Sequence, residues 1–287
     1  GADETWSSLV PISPSGRQRP FFCVHGGAGH VYHYRALAQH LGADQPFYGL
    51  QPGQEQEHPK DDVKAMAAAY LKEIRKVQPE GPYSVGGFCF GAIIAFEMAQ
   101  QLTEMGEAVA LVALIDAIGP GYNGQVIPPA ALPTLEELAE ASPQAKRPQT
   151  LLEKGRRVGA NWMRRLHGAK VATQRRLRHV GKARDRLLIQ IYEKLERPLP
   201  HHLHNYQMLA AARAARKRYE PDVYSGDLAV FRREDVDNAI PADMGWDRLT
   251  TQTVKVYEIP GTHLELLQEP YVQELARQLQ LSMNEGD

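Results

Sequence analysis

Short apolar runs alternate with amphipathic stretches along most of this chain. Phe21-Phe22-Cys23-Val24 is apolar throughout, and Val109 to Ile115 is an uninterrupted apolar run, as expected of parallel strands buried on both faces. Tyr83-Ser84-Val85-Gly86-Gly87, Asp227 to Phe231 and Thr253 to Ile259 read as further strands, with a short one around Phe47-Tyr48-Gly49-Leu50. Helices are predicted between them. One covers about Tyr32 to Leu41. A second is opened by Asp61 and Asp62 and carries Val63, Met66, Tyr70, Ile74 and Val77 at steps of three and four, on one face. A third, strongly apolar, runs from Phe90 to Met105 and is closed by Gly106; a last one, opened by Pro270, carries Val272, Leu275 and Leu279. Strand and helix in alternation predict an α/β fold with a mostly parallel, doubly wound sheet.

Two stretches depart from this alternation. Residues 1–20 are rich in Ser, Pro and Gly and read as a linker into the first strand. From 121 to 222 the chain is helical in composition and has no convincing strand, so the sheet domain is expected as 21–120 and 223–287 around a helical insertion. Charge marks the same segment. The formal net charge is −1, which gives no basis for nucleic-acid binding, yet residues 121–218 hold 20 Lys and Arg against 7 Asp and Glu, leaving 13 against 27 elsewhere.

With 287 residues and 43% hydrophobic composition the chain has enough apolar surface for a large core. It lacks any apolar run near the roughly 20 residues of a membrane span, and Gly1-Ala2-Asp3-Glu4 does not resemble a signal peptide, so a cytoplasmic location is expected, away from membranes. Two cysteines do not suggest a disulfide scaffold and are read singly. No metal or other cofactor is expected: His201-His202-x-His204 lacks an accompanying set of Cys or carboxylate ligands.

Chemistry concentrates where strands end. Gly87-Phe88-Cys89-Phe90-Gly91 has the G-x-S-x-G form with Cys in place of Ser, between a predicted strand and a predicted helix. A nucleophile on that sharp turn needs small residues two before and two after it, which Gly87 and Gly91 supply, and the dipole at the helix start favours an anionic sulfur. Such a nucleophile elbow belongs to the α/β-hydrolase fold, whose order of nucleophile, acid and late histidine points to His263 in Gly261-Thr262-His263 as base. For the acid, Asp116 at the end of an apolar strand competes with Asp235 and Asp237, which follow the strand ending at Phe231. Asp116 is preferred, because Arg232-Arg233-Glu234-Asp235 reads as a solvated charge run. Backbone N–H groups of Phe90 and of the turn His25-Gly26-Gly27-Ala28-Gly29-His30 are the candidate oxyanion donors, Gly27 first and Ala28 as its alternative. Cys23, inside an apolar strand with no base beside it, reads as core.

With Phe22-Cys23-Val24-His25-Gly26-Gly27-Ala28-Gly29, Tyr48-Gly49-Leu50-Gln51-Pro52, Gly86 to Gly91, Leu114-Ile115-Asp116 and Gly261-Thr262-His263, the chain resembles the terminal thioesterase domains of nonribosomal peptide synthetases and polyketide synthases. The likeness covers Pro20 to Asp116 and Asp227 to Leu281. It implies that an acyl or peptidyl chain passes from the phosphopantetheine arm of a carrier protein, upstream in the same polypeptide, to Cys89 and is released by hydrolysis or cyclisation. It also implies an acid at Asp116 and a lid made by the insertion. Serine is the commoner nucleophile in that family, so Cys89 is a departure. The basic runs Arg164-Arg165, Arg175-Arg176-Leu177-Arg178 and Arg216-Lys217-Arg218 suggest a docking surface for an acidic carrier protein, against the plainer reading of a solvated helical face. A stand-alone editing thioesterase, a dienelactone-hydrolase-like enzyme and a catalytically dead carrier-binding module are the competing expectations.

Overall fold

A computed structural model describes residues 8–53, 61–122, 199–237 and 239–285, and single positions or pairs between 184 and 197. The chain divides into two compact units, residues 1–138 with 208–287 and residues 139–207. Of the second unit little beyond the start of one helix is described.

The first unit is built on a seven-stranded sheet: β1 (Leu9–Ser13), β2 (Phe21–Val24), β3 (Phe47–Leu50), β4 (Tyr83–Phe88), β5 (Val109–Ile115), β6 (Leu228–Arg233) and β7 (Val254–Ile259), in the spatial order β1-β3-β2-β4-β5-β6-β7. All neighbours pair in parallel except β1, which runs antiparallel to β3. The helices are α1 (Tyr34–Leu41), α2 (Val63–Val77), α3 (Phe90–Glu104), α4 (His201–Arg218) and α5 (Tyr271–Glu285).

The apolar runs of the central strands follow from burial on both faces. In β2, Phe22 and Val24 join the core formed with α2 and α3, while Phe21 and Cys23 join the core formed with α1 and α5. In β5, Val112 and Leu114 face the first core, and Leu111, Ala113 and Ile115 the second. Alternate residues on a strand point to opposite faces, so neither side offers a place for a polar residue. Asp62 caps α2 as expected, its carboxylate accepting from the N–H of Ala65 at 3.2 Å.

One segment differs from its sequence reading: Leu9–Ser13, assigned to the 1–20 linker, forms β1 at the sheet edge. Pro11 is what weakens its strand signal. An edge strand tolerates a residue without N–H because one of its sides is not paired.

Within the first unit, the C-terminal part of α4 and the turn after it are tied to α3. Tyr219 is buried and its hydroxyl donates to the buried carboxylate of Glu97 at 2.6 Å, and Gln101 donates to the other oxygen of Glu97 at 2.8 Å. No helix among the described residues is long and apolar enough to cross a membrane.

Candidate active site

The turn from β4 to α3 is made by Cys89, whose backbone lies at φ 56° and ψ −115°, a conformation that non-glycine residues rarely adopt. Its N–H donates to the carbonyl of Ile115 at 2.8 Å, which fixes the turn to the end of the neighbouring strand. Both flanking glycines are required sterically. A Cβ on Gly87 would lie 2.3 Å from the carbonyl carbon and oxygen of Gly91, and a Cβ on Gly91 would lie 2.4 Å from the carbonyl oxygens of Val24 and His25. The second contact brings the start of α3 against the end of β2. Phe90 thus opens α3, where the first amides have no intrahelical acceptor, and Gly27 lies in a tight turn closed by the N–H of Gly29 donating to the carbonyl of Gly26 at 3.0 Å.

Asp116 occupies the matching position one strand over. It follows β5, its φ is 45°, and its N–H donates to the carbonyl of Phe231 at 2.7 Å. Its carboxylate is buried. Oδ2 accepts from Nδ1 of His263 and, at 2.9 Å, from Nη1 of Arg233. Burial alone raises the Asp116 carboxyl, but the hydrogen bonds and positive charge of His263 and Arg233 outweigh it and hold the pKa below the ordinary aspartate value.

His263 projects from the loop after β7. Its ring stacks on Phe88 with centroids 4.6 Å apart and planes 24° apart, so the residue before Cys89 sets the tilt of the imidazole. Nδ1 faces a carboxylate that only accepts, which places a proton on that nitrogen. Nε2 is buried, and Cys89 is one of the two groups that act on the ring, Asp116 being the other. Burial lowers the imidazole pKa. The charge of Cys89, hydrogen bonds to Asp116 and Cys89 and the charge of Asp116 overcome this and raise it to about 10.

The structure therefore brings Cys89, His263 and Asp116 together, with Phe90 directly after the cysteine and Gly27 in the turn whose Gly26 faces Phe88. Asp235 is not the partner of His263; it binds the other side of Arg233, with Nε donating to its Oδ1 at 2.6 Å. The segment read as a solvated charge run is part of the site's support: β6 extends through Arg233, and Arg232 is buried. Arg233 and Phe88 are the residues that sequence reasoning missed. Arg233 stands at the carboxyl end of a parallel strand, where sites of open α/β sheets gather, and that position was the available signal. Cys23 is fully buried, and burial pushes its thiol pKa up to about 12 despite a hydrogen bond with Tyr34. Arg175, Arg176 and Arg178 lie outside the described residues. Of the third basic run, Arg216 is half-buried, Lys217 is exposed, and Arg218 is exposed and pairs with Asp61.

The family model for the thioesterase domain matches residues 19–282. Chondramide synthase cmdD of Chondromyces crocatus is 30% identical over 99% of this chain and 7% of its own length. A dimodular nonribosomal peptide synthase of Bacillus subtilis is 42% identical over 45% of this chain and 5% of its own length. This chain thus spans a small fraction of these curated relatives. Among solved structures, the NocB thioesterase domain from the nocardicin cluster superposes with a TM-score of 0.65 at 21% identity, over 96% of this chain and 99% of that one. The thioesterase domain SrfTE, described for cyclization of the lipopeptide surfactin, gives 0.58 at 15% identity over 99% of each chain. These structures share the α/β-hydrolase fold with the present chain.

Two outcomes are expected of this geometry. In Cys89→Ala the largest influence raising the His263 pKa is gone, so its titration followed by NMR falls well below about 10; a midpoint that stays there assigns the shift to Asp116 instead. A raised imidazole pKa stabilises the fold fully below the unfolded value of about 6.5 and loses that contribution as pH rises toward 10, so the variant loses this pH dependence. Arg233→Met removes one of the interactions that depress the Asp116 pKa. The carboxylate then protonates at higher pH, the acid limb of the kcat/KM profile moves upward, and stability measured by urea unfolding falls by about 2 kcal/mol. An unmoved acid limb would show that Arg233 does not act through Asp116.

Proposed function

This chain belongs to the thioesterase domain family, and we propose that it releases an acyl or peptidyl chain from the phosphopantetheine arm of a carrier protein by way of a thioester on Cys89. What supports this most is the single constellation at the strand ends: a cysteine on a strained elbow, a histidine acted on by its sulfur, and a buried carboxylate that orients the histidine and is itself held by Arg233.

In the loading half-reaction His263 holds the proton of the Cys89 thiol on Nε2, and the sulfur attacks the thioester carbonyl. The oxyanion of the tetrahedral intermediate is stabilised by the N–H groups of Phe90 and Gly27. Collapse breaks the bond to the pantetheine sulfur, which takes the proton from His263 and leaves as a thiol. In release, water or a nucleophile within the chain gives its proton to His263 and attacks the Cys89 thioester, and the thiol is regenerated. Asp116 keeps a proton on Nδ1 throughout, so that Nε2 is the nitrogen that exchanges protons. No cofactor takes part in these steps. The carrier protein is proposed to lie upstream in the same polypeptide, with Arg175, Arg176 and Arg178 as contacts for its acidic surface.

Exchange of one thioester for another is near thermoneutral, and the acyl group on Cys89 remains activated. On serine it would become an oxoester, which is attacked less readily. With an acyl thioester substrate, Cys89→Ala is expected to reduce steady-state turnover on the order of 10³-fold or more, and Cys23→Ala to leave it close to wild type. Cys89→Ser is expected to load and then release slowly, with acyl-enzyme accumulating. Full turnover by Cys89→Ala would overturn the reading, and release by Cys89→Ser at the wild-type rate would remove the stated reason for a cysteine.

A further inference from the structure

Among the basic residues at the end of α4, Arg216 stands apart. Lys217 and Arg218 face solvent, where their charges suit the negative end of a helix dipole. Arg216 is turned inward, and its Nη2 donates to the carbonyl of Ile118 at 3.1 Å, two residues after Asp116. The same helix face touches the other side of the site. Eight residues earlier, the side chain of Met208 lies 3.1 Å from where a Cβ of Gly29 would be, at the end of the turn after β2. Met208, Ala212 and Arg216 are spaced by four, so they share one stripe of α4.

Eight residues of helix rise about 12 Å, and two strand spacings are about 10 Å. Since β4 lies between β2 and β5, this part of α4 passes across the end of β4, where Cys89 sits. The small Ala212 occupies the middle of the span. Arg216 is the charged residue of this stripe, and the charge of Cys89 acts on it: burial lowers the guanidinium pKa, and the sulfur counteracts this. No carboxylate among the described residues pairs with Arg216. Oδ2 of Asp116 is taken by His263 and Arg233. A half-buried guanidinium with one carbonyl partner among the described residues keeps most of its five donors for something else, and desolvation makes an anionic oxygen its best partner.

Resting on the thioesterase reading above, we propose that Arg216 is a specificity-determining residue that binds a carboxylate carried by the acyl chain, a few bonds from the thioester carbonyl. The phosphate of the carrier arm also offers anionic oxygens, but it lies a full pantetheine length from the thioester sulfur, on the leaving-group side. Arg216 lies at the end of the α4 stripe that passes across the end of β4, with its guanidinium at Ile118 and under the influence of the Cys89 charge, so the acyl group is the source assigned. Neutral acyl chains are then accepted less well, because they leave a desolvated guanidinium without a counter-charge.

The test compares kcat/KM for the adipoyl thioester of N-acetylcysteamine with that for its terminal carboxamide analogue, in wild type, Arg216→Gln and Arg216→Lys. Wild type is expected to favour the carboxylate by about tenfold or more, Arg216→Gln to bring the ratio near one, and Arg216→Lys to keep part of it. A residue that only ties α4 to Ile118 would lower both rates together and leave the ratio unchanged, which would overturn the proposal. So would equal use of the two thioesters by wild type. A parallel pair, one neutral acyl group on phosphopantetheine and on pantetheine, reads the arm; a ratio there that depends on Arg216, with no effect of acyl charge, would move the ligand to the phosphate and refute the acyl assignment. Failure of the underlying reading looks different: it appears as turnover of these thioesters that survives Cys89→Ala.

Discussion

A Cβ on Gly91 would meet the carbonyl oxygens of Val24 and His25 at 2.4 Å, and one on Gly87 would meet Gly91 itself at 2.3 Å. This backbone-to-backbone approach is the constraint from which the site follows. It holds the start of α3 against the end of β2, and the single connecting residue, Cys89, makes the junction in a positive-φ turn. It also places the open amides of α3 beside the glycine-rich turn that follows β2, as an oxyanion site requires. Strain of this kind persists only where the surroundings over-determine it. Here the surroundings are α3, apolar nearly all round, and a β4 buried on both faces.

Electrostatics completes what packing positions. Asp116 is a buried carboxylate, and removing such a group from water is unfavourable unless it is paired. Two cationic partners meet the same oxygen, Oδ2: Arg233, itself anchored by Asp235, and His263. The acid is thereby kept ionised, and the histidine is held from two sides, by the carboxylate at Nδ1 and by the Phe88 ring beneath it. The strand that ends beside Cys89 thus also sets the plane of the His263 ring.

Much of this was legible in the sequence because it depends on local rules. Val109 to Ile115 announces a strand buried on both faces, and Gly87-Phe88-Cys89-Phe90-Gly91 names the turn, since only glycine satisfies the two close approaches. What was not legible depends on contacts across the sheet. Arg232 and Arg233 read as solvated because charge next to charge usually is, yet β6 carries them to the strand ends where Asp116 needs a cation. Pro11 hid the edge strand β1 for a related reason: propensity describes a residue in the interior of a sheet, and an edge relaxes it. Arg216 looked like one member of a basic run, and only the path of α4 from Gly29 to Ile118 separates it from Lys217 and Arg218.

The central claim is that the acyl chain passes through the sulfur of Cys89. Intact-protein mass spectrometry, after brief mixing with an acyl-loaded carrier protein and followed by peptide mapping, tests it most directly. The expected result is a transient mass increase equal to the acyl group, located on the peptide containing Cys89 and lost as product appears. Product formed with no adduct at any time, or an adduct that maps to Cys23 or elsewhere, would contradict it.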